Sequence, residues 1–462
     1  MAGPPSSLPP EARRPVVRVV RALARPVERF LAIEAASGIV LLIAAAIALL
    51  WANSPAGDAY HDLWHTQVAV GFGEHVVSAS LHYVVNDIFM AIFFFVVGLE
   101  IRRELHGGEL SELRRAALPI VAALGGMMVP ALTYVALAPA EARAGWGVPM
   151  ATDIAFAVGV LALLGKRVPP ALRILLLAVA IIDDIGAIIV IAVFYSSGLS
   201  GQGFAMAGLG IAAILVLQAL GVRRALAYVP AGALVWIGVA KAGVHPTIAG
   251  VIIGLLTPAR AWYGVPRFLE ESRRQLATIE AGGGHGHELD QPMAELARAH
   301  REATPPVERI LHILHPWVAY LIMPVFALAN AGVVLDGLDL GAAPGAFFGV
   351  VAGLVIGKPL GVLAACALAL HLGVAQLPRG VDIRGLVVVG MVAGVGFTMA
   401  LFIAALAFPA DPTLHGVAKL GVLVASAIAA IGAFAYGRLA LPAAPSAGAA
   451  ATAHEAEAST QA

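Results

Sequence analysis

Hydrophobic residues along this chain fall into long blocks separated by short polar or charged segments. A helix that crosses a bilayer needs about 20 apolar residues. Twelve blocks are of roughly this length, which predicts an all-α polytopic membrane protein with twelve transmembrane helices. The predicted spans lie near residues 34–52, 82–101, 117–138, 147–165, 170–195, 202–221, 225–241, 244–258, 312–334, 345–370, 385–408 and 415–437.

The distribution of basic residues orients these spans. Lys and Arg accumulate in loops that stay in the cytoplasm. Six arginines precede the first span, the loop 53–81 has no Lys or Arg, and four arginines follow the second span. This alternation continues along most of the chain and predicts that both termini are cytoplasmic.

Composition agrees with a membrane protein and excludes several other classes. Of the 462 residues, 60% are hydrophobic and only 13% are charged, whereas soluble domains carry about 25% charged residues. An ordinary soluble enzyme, a nucleic-acid-binding protein and a disordered protein are thereby excluded. The single cysteine, Cys366, excludes a disulfide framework and a cysteine-based metal site.

Polar segments flank and interrupt the predicted twelve-span domain, residues 34–438. Residues 1–33 form a basic cytoplasmic segment, interpreted as a helix on the membrane surface or as a signal for orientation alone. Residues 439–462, rich in Ala, Pro and Ser, are expected to be a disordered tail. The long cytoplasmic loop 259–308 contains His285 and His287, for which a flexible linker is favoured over a metal site.

The predicted periplasmic loop 53–81 contains a pattern typical of β structure. In residues 67–77, two short runs rich in valine surround a glycine turn. We therefore expect a short β-hairpin. Its open edge could pair with a second copy of the chain.

Ionisable residues inside predicted spans are few, and such residues are costly enough to be functional candidates. Asp153 lies in the fourth span, Asp183 and Asp184 lie in the middle of the fifth, and Lys358 lies in the tenth. Two adjacent carboxylates cannot both ionise at low cost in a medium of low dielectric constant. The one buried base, Lys358, cannot neutralise all three buried acids. A hard cation or protons can compensate the remaining negative charge.

Two predicted spans carry residues that interrupt helices. The fourth contains Pro149, Thr152 and Asp153, and the eleventh contains Gly394 and Gly396. Interrupted helices at matching positions of two halves are typical of inverted-repeat transporters. Spans 3–5 and 10–12 are the predicted inverted-topology repeats, with spans 4 and 11 crossing. Asp153 and Lys358 have charges of the signs needed to offset the dipoles of the half-helices. For the eleventh span, close helix packing is an equally good explanation of the glycines.

The chain resembles a known family in a series of ordered motifs. The matching segments are Asn86-Asp87, Gly98-Leu-Glu100-Ile-Arg-Arg103-Glu104-Leu, Ala151-Thr-Asp153-Ile-Ala-Phe, Ile181-Ile-Asp-Asp184-Ile-Gly-Ala, Gly243-Val-His245, Leu314-His315-Pro-Trp317, Gly357-Lys358-Pro-Leu-Gly361 and Gly394-Val-Gly-Phe-Thr398-Met. Together they resemble the NhaA-type Na⁺/H⁺ antiporters of bacterial inner membranes. The resemblance fails only in the tails and in the loop 259–308.

This resemblance implies an electrogenic antiporter that extrudes Na⁺ or Li⁺ in exchange for protons, without a cofactor. It implies that Asp184 is the main ligand of the ion and of the proton, with Asp183 as a second metal ligand. Lys358 is expected to pair with Asp183, to offset the dipoles, or both, while Thr152 and Asp153 assist binding. A homodimer through the hairpin 67–77 and a place in the cell inner membrane are also implied.

Several further residues match family positions tied to pH activation. They are Glu100, Arg103, Glu104, His245, His312 and His315. This chain departs from the family pattern at Leu311, where a glutamate is common, and at Pro246, where a small residue is expected. We therefore hypothesise that its activating pH differs from that of other members; activation at the usual alkaline pH would count against this.

Three other functions fit the buried charges less well. A proton- or sodium-coupled carrier of an organic solute would need a buried arginine or aromatic cluster to hold its substrate. An intramembrane aspartyl protease needs its two aspartates on different helices, whereas Asp183 and Asp184 are adjacent. A passive channel is disfavoured because a tight carboxylate pair binds ions too strongly for fast conduction.

Overall fold

The computed structural model describes residues 36–72, 75–281, 287–336, 341 and 343–442. The predicted basic N-terminal segment, most of the predicted tail and His285 lie outside these residues. The described part is almost entirely helical. Its helices up to the middle of the chain are α1 Ala36–Ala52, α2 Gly57–His65, α3 Leu81–Gly107, α4 Leu113–Leu137, α5 Ala140–Met150, α6 Ile154–Leu164, α7 Pro170–Phe194, α8 Gly201–Ala219, α9 Ala225–Lys241 and α10 Thr247–Leu256. Of these, α5 is a 3₁₀-helix.

The second half of the chain begins with a polar pair of helices and then returns to apolar ones. Its helices are α11 Val265–Ala281, α12 His287–Ala303, α13 Pro306–Asn330, α14 Pro344–His371, α15 Ile383–Ala393, α16 Phe397–Ala407 and α17 Pro412–Ala440. Three of the long helices, α3, α13 and α14, each contain a π-helical turn. Such turns often accompany functional sites.

Seven of the described helices are long and apolar enough to cross a membrane: α3, α4, α7, α8, α13, α14 and α17. Three pairs bent by more than 40° raise this number to ten if each pair is one span: α1 with α2, α5 with α6, and α15 with α16. The two remaining predicted spans coincide with the shorter apolar helices α9 and α10. A multi-pass helical membrane protein is thereby supported, while the count of twelve and the topology stay predictions.

The predicted β-hairpin is present. Strand β1, Gln67–Phe72, pairs antiparallel with strand β2, His75–Ser80, with Gln67 opposite Ser80 and Phe72 opposite His75. The hairpin follows α2, a helix that the sequence analysis did not predict within the loop 53–81. α2 folds back at 114° from α1, and the Tyr60 hydroxyl fixes it by donating to the Leu328 carbonyl at 2.8 Å.

The segment 259–308 contains two helices that the sequence analysis did not predict, while the flexible linker predicted around His285 falls on residues 282–286, outside the described residues. Helices α11 and α12 occupy most of the segment and pack on each other. The backbone N–H groups of Trp262 and Tyr263 both donate to the Glu302 carbonyl at 3.0 Å, and the Glu302 carboxylate pairs with Arg223 in the connection between α8 and α9. Because both helices are polar overall, apolar blocks could not reveal them.

Candidate functional site

Two broken helices meet inside the molecule. The first breaks at residues 151–153, between α5 and α6, with a bend of 51°, and the second breaks at 394–396, between α15 and α16, with a bend of 42°. The breaks touch each other, since the Asp153 N–H donates to the Val395 carbonyl at 2.8 Å. The interruptions predicted in spans 4 and 11 are therefore present, and four helix ends converge there.

Glycines make this close approach possible. A Cβ atom on Gly394 would lie 2.5 Å from the Leu354 carbonyl oxygen, and one on Gly396 would lie 3.0 Å from the Ala151 carbonyl oxygen. The φ angles of Gly394 and Gly396, −66° and −87°, are values that any residue can adopt. These two glycines are therefore explained by the close packing of the two breaks rather than by a special backbone conformation.

Asp153 lies at the N-termini of two half-helices. Its Oδ1 accepts a hydrogen bond from the Phe156 N–H at 3.0 Å, in the first turn of α6. Its Oδ2 accepts from the Thr398 N–H at 3.1 Å, in the first turn of α16, and also from the Thr398 hydroxyl. A negative charge is stabilised by the positive ends of both helix dipoles. Asp153 therefore has the charge that the crossing requires, and its carboxylate accepts three hydrogen bonds.

Lys358 lies at a helix end of the opposite sign. Its fully buried Nζ donates to the Met150 carbonyl at the C-terminus of α5. It also pairs with Asp183 Oδ2 at 2.8 Å. Both roles expected of Lys358, pairing with Asp183 and facing the negative end of a half-helix, are consistent with these contacts.

The two adjacent aspartates have different surroundings because successive helical positions point about 100° apart. Asp183 turns towards Lys358 and Thr152, and the Thr152 hydroxyl donates to its Oδ2 at 2.7 Å. Its Oδ1 is buried and has no hydrogen-bond partner among the described residues. Asp184 is only 2% exposed, and no hydrogen bond or ion pair joins its carboxylate to another described side chain. Of the three buried acids, Asp184 thus has the fewest hydrogen-bond donors and counter-charges around its carboxylate.

The residues predicted for pH regulation do not form one cluster. At one end of α3, Glu100 Oε1 lies 4.0 Å from His315 Nε2, and Arg103 pairs with Glu104 at 3.6 Å. His245 lies elsewhere, with its Nε2 3.8 Å from Asp87 Oδ1. His312 is exposed. Asp87 and Glu100 are 13 residues apart on α3, or about 20 Å along a helix.

The two departures from the family pattern fit the structure without disturbing it. Leu311 is 5% exposed and packs in the main hydrophobic core. Pro246 directly precedes α10 with a φ of −59°, a conformation suited to the start of a helix.

Sequence reasoning missed some buried polar groups. Thr398 was recognised within a motif but not as a partner of Asp153. Asn86 and Asn330 join α3 to α13 through two amide hydrogen bonds, at 3.2 and 2.8 Å. A census of neutral polar residues in the predicted spans, as well as of ionisable ones, would have found all three.

We expect Thr398→Val to destabilise the protein by about 1–3 kcal/mol, because it removes one of the three donors to a buried carboxylate while keeping the shape of the side chain. Thermal unfolding in one detergent measures the effect. Thr278→Val is the matched control, since the exposed Thr278 hydroxyl also donates a hydrogen bond, in this case to the Arg274 backbone carbonyl at 3.0 Å. Equal melting temperatures for the two variants would contradict the assigned contact.

Across the described residues, no three His, Cys, Asp or Glu side chains come together as a metal site. Asp183 and Asp184, predicted as metal ligands, therefore have no third side chain of these types beside them. A bound ion would take its remaining oxygen ligands from water, a hydroxyl or backbone carbonyls.

Crossed half-helices around buried charges inside a multi-pass helical protein define the class of secondary transporters. Comparison with known proteins gives the family. The family model described as Na⁺/H⁺ antiporter 1 matches residues 28–436, and the chain belongs to this family.

Relatives of this chain are similar over nearly its whole length. The Na⁺/H⁺ antiporter NhaA 2 of Sorangium cellulosum is 60% identical over 459 residues, which cover 98% of each chain. The protein of the same name from Myxococcus xanthus is 56% identical over 460 residues, again covering 98% of each. The Na⁺/H⁺ antiporter NhaA of Cupriavidus necator is 56% identical over 410 residues, or 87% of each.

Proposed function

We propose that this protein is an electrogenic, pH-regulated antiporter that extrudes Na⁺ or Li⁺ from the cytoplasm in exchange for external protons. One observation carries the proposal: at the crossing of two broken helices, Asp184 and one oxygen of Asp183 are buried without a partner in the described chain. A buried carboxylate needs a counter-charge or a proton. The name of the family and the names of the relatives support sodium as the ion.

Exchange follows from competition for the same oxygens. Na⁺ and Li⁺ are hard cations that prefer oxygen ligands, and they bind the carboxylates only when these are ionised. A proton binds the same groups and displaces the cation. Two titrating aspartates per ion allow more protons than sodium ions to move in each cycle, so the membrane potential drives sodium out.

The broken helices supply a site that can open to either side. The inverted repeats, spans 3–5 and 10–12, rock around the crossing, and Asp153 and Lys358 keep the four helix ends neutral in both states. Thr152 and Asp153 line the crossing. Asp184 is the principal ligand of ion and proton, and Asp183 is its neighbour.

Regulation and assembly involve other parts of the molecule. Glu100, Arg103, Glu104 and His315 act at one end of α3, with His312 nearby in sequence, and His245 acts beside Asp87. The edge of the hairpin formed by β1 and β2 joins two copies in a homodimer. The protein lies in the bacterial inner membrane with both termini in the cytoplasm.

Everted membrane vesicles with a preformed pH gradient, acid inside, test this function. We expect addition of NaCl or LiCl to collapse the gradient, whereas KCl or choline chloride at equal concentration leaves it unchanged. The assay is repeated at pH values from 6 to 9 to measure pH activation of exchange. An exchange rate that changes when the membrane potential is abolished indicates electrogenic exchange. No response to Na⁺ or Li⁺ at any pH in this series would overturn the proposal.

A further inference from the structure

A cavity of about 430 Å³ lies between the start of α4, the start of α7 and the connection that follows α14. Its inner wall is apolar and buried, formed by Leu118, Leu175 and Ala178. Asp183 and Asp184, farther along α7, do not line it. The cavity is therefore separate from the crossing of the broken helices.

The mouth of this cavity combines positive charge with exposed apolar surface. Arg114 and Arg115 line it and are both exposed, against a single lining acid, Glu109. The pair formed by Arg115 and Glu112, at 3.3 Å, is more than 60% exposed on both sides, and such pairs are weak enough to be rearranged by a ligand. Ile174 and Val374, 46% and 60% exposed, lie beside these charges.

The cavity opens at an end of the molecule that is rich in basic residues. α4 and α7 begin there and α14 ends there, next to connections that carry Lys166, Arg167 and Arg379. By the orientation proposed above, this end meets the cytoplasmic leaflet, which contains the anionic headgroups that basic pockets between transmembrane helices recognise.

We propose that this cavity binds one anionic glycerophospholipid. The Arg114 and Arg115 guanidinium groups hold its phosphate through charge-assisted hydrogen bonds. An acyl chain lies along Ile174, Leu175 and Leu118. A free phosphate would use the same arginines, but it would leave the apolar wall of the cavity exposed.

The test is lipid binding to the purified full-length protein in detergent, measured by native mass spectrometry. Phosphatidylglycerol, phosphatidylcholine with the same acyl chains, and inorganic phosphate are titrated separately and in competition. We expect phosphatidylglycerol to bind and the double variant R114Q/R115Q to bind it roughly 10- to 30-fold more weakly, since each arginine near an anionic surface is worth about 1 kcal/mol.

Two further variants separate the charged and apolar parts of the site. R273Q/R274Q on α11 is the matched control, because it is also an adjacent arginine pair whose second member bonds a glutamate three residues earlier, at 2.7 Å. It should bind phosphatidylglycerol like the wild type. Ala171→Phe, in the cavity wall, should weaken phosphatidylglycerol binding without changing charge.

Three results would overturn the proposal. They are equal binding of phosphatidylcholine by the wild type, equal loss of binding in the R273Q/R274Q control, and full displacement of phosphatidylglycerol by an equal concentration of inorganic phosphate. Because the measurement does not involve transport, its outcome is independent of the outcome of the antiport assay.

Discussion

Replacing Asp184 by asparagine is expected to abolish Na⁺- and Li⁺-dependent collapse of the pH gradient, to the level of vesicles without the protein. Asparagine has nearly the shape of aspartate, but it cannot ionise or carry the exchanged proton. In the described chain no hydrogen bond depends on the Asp184 carboxylate, so the fold loses little. We therefore expect wild-type amounts of inserted protein and a melting temperature close to that of the wild type.

The control for this variant is Asp62→Asn, which makes the same chemical change in an exposed carboxylate on α2. It should exchange Na⁺ for protons at the wild-type rate. Wild-type exchange by Asp184→Asn would show that Asp184 is not the ion ligand. A loss of exchange accompanied by loss of folded protein would instead contradict the view that this carboxylate has no structural partner.

Replacing Lys358 by methionine is expected to destabilise the folded protein by about 3–5 kcal/mol, because it leaves a buried carboxylate without its partner. The Lys358 and Asp183 side chains are both fully buried, so solvent does not replace the lost contact. The Met150 carbonyl at the end of α5 also loses its donor. Thermal and chemical unfolding in detergent measure this loss.

A double variant distinguishes a structural ion pair from other roles of Lys358. In Asp183→Asn/Lys358→Met the carboxylate is removed with its partner, so much of the lost stability should return, although exchange should not. The exposed Lys166→Met is the control for loss of a lysine and should melt like the wild type. Additive losses in the double variant would show that the two side chains do not stabilise each other.

The apolar segments and the positions of the two helix breaks were predictable from the sequence. Length and hydrophobicity are properties of one segment, so the blocks around Asp183 and Lys358 are visible without any knowledge of their neighbours. The same holds for the breaks, because Pro149 lacks a backbone N–H and glycine is a weak helix former, and both effects belong to the residue itself. The hairpin was predictable for the same reason, since its two strands are close in sequence.

Features that depend on distant partners were not predictable in this way. The Thr398 hydroxyl bonds Asp153 across 245 positions of the chain, and no local pattern distinguishes this threonine from one that bonds its own helix. The charges of Asp183 and Lys358 are complementary, but only the family resemblance named them as partners. Helix α2 and the helix pair α11 and α12 were not predicted because their amphipathic or polar sequences contain no long apolar block.

The Thr152 hydroxyl has two possible hydrogen-bond acceptors at the crossing of the broken helices. Its oxygen lies 2.7 Å from Asp183 Oδ2 and 3.0 Å from the Ala393 carbonyl at the end of α15, yet it can donate to only one of them at a time. An ionised Asp183 would attract the hydroxyl and leave Ala393 without this donor. A protonated Asp183 would be the donor itself, and the hydroxyl would turn to Ala393. A change in the protonation of Asp183 on α7 would thus reach the end of the broken helix α15 through the rotation of a single side chain.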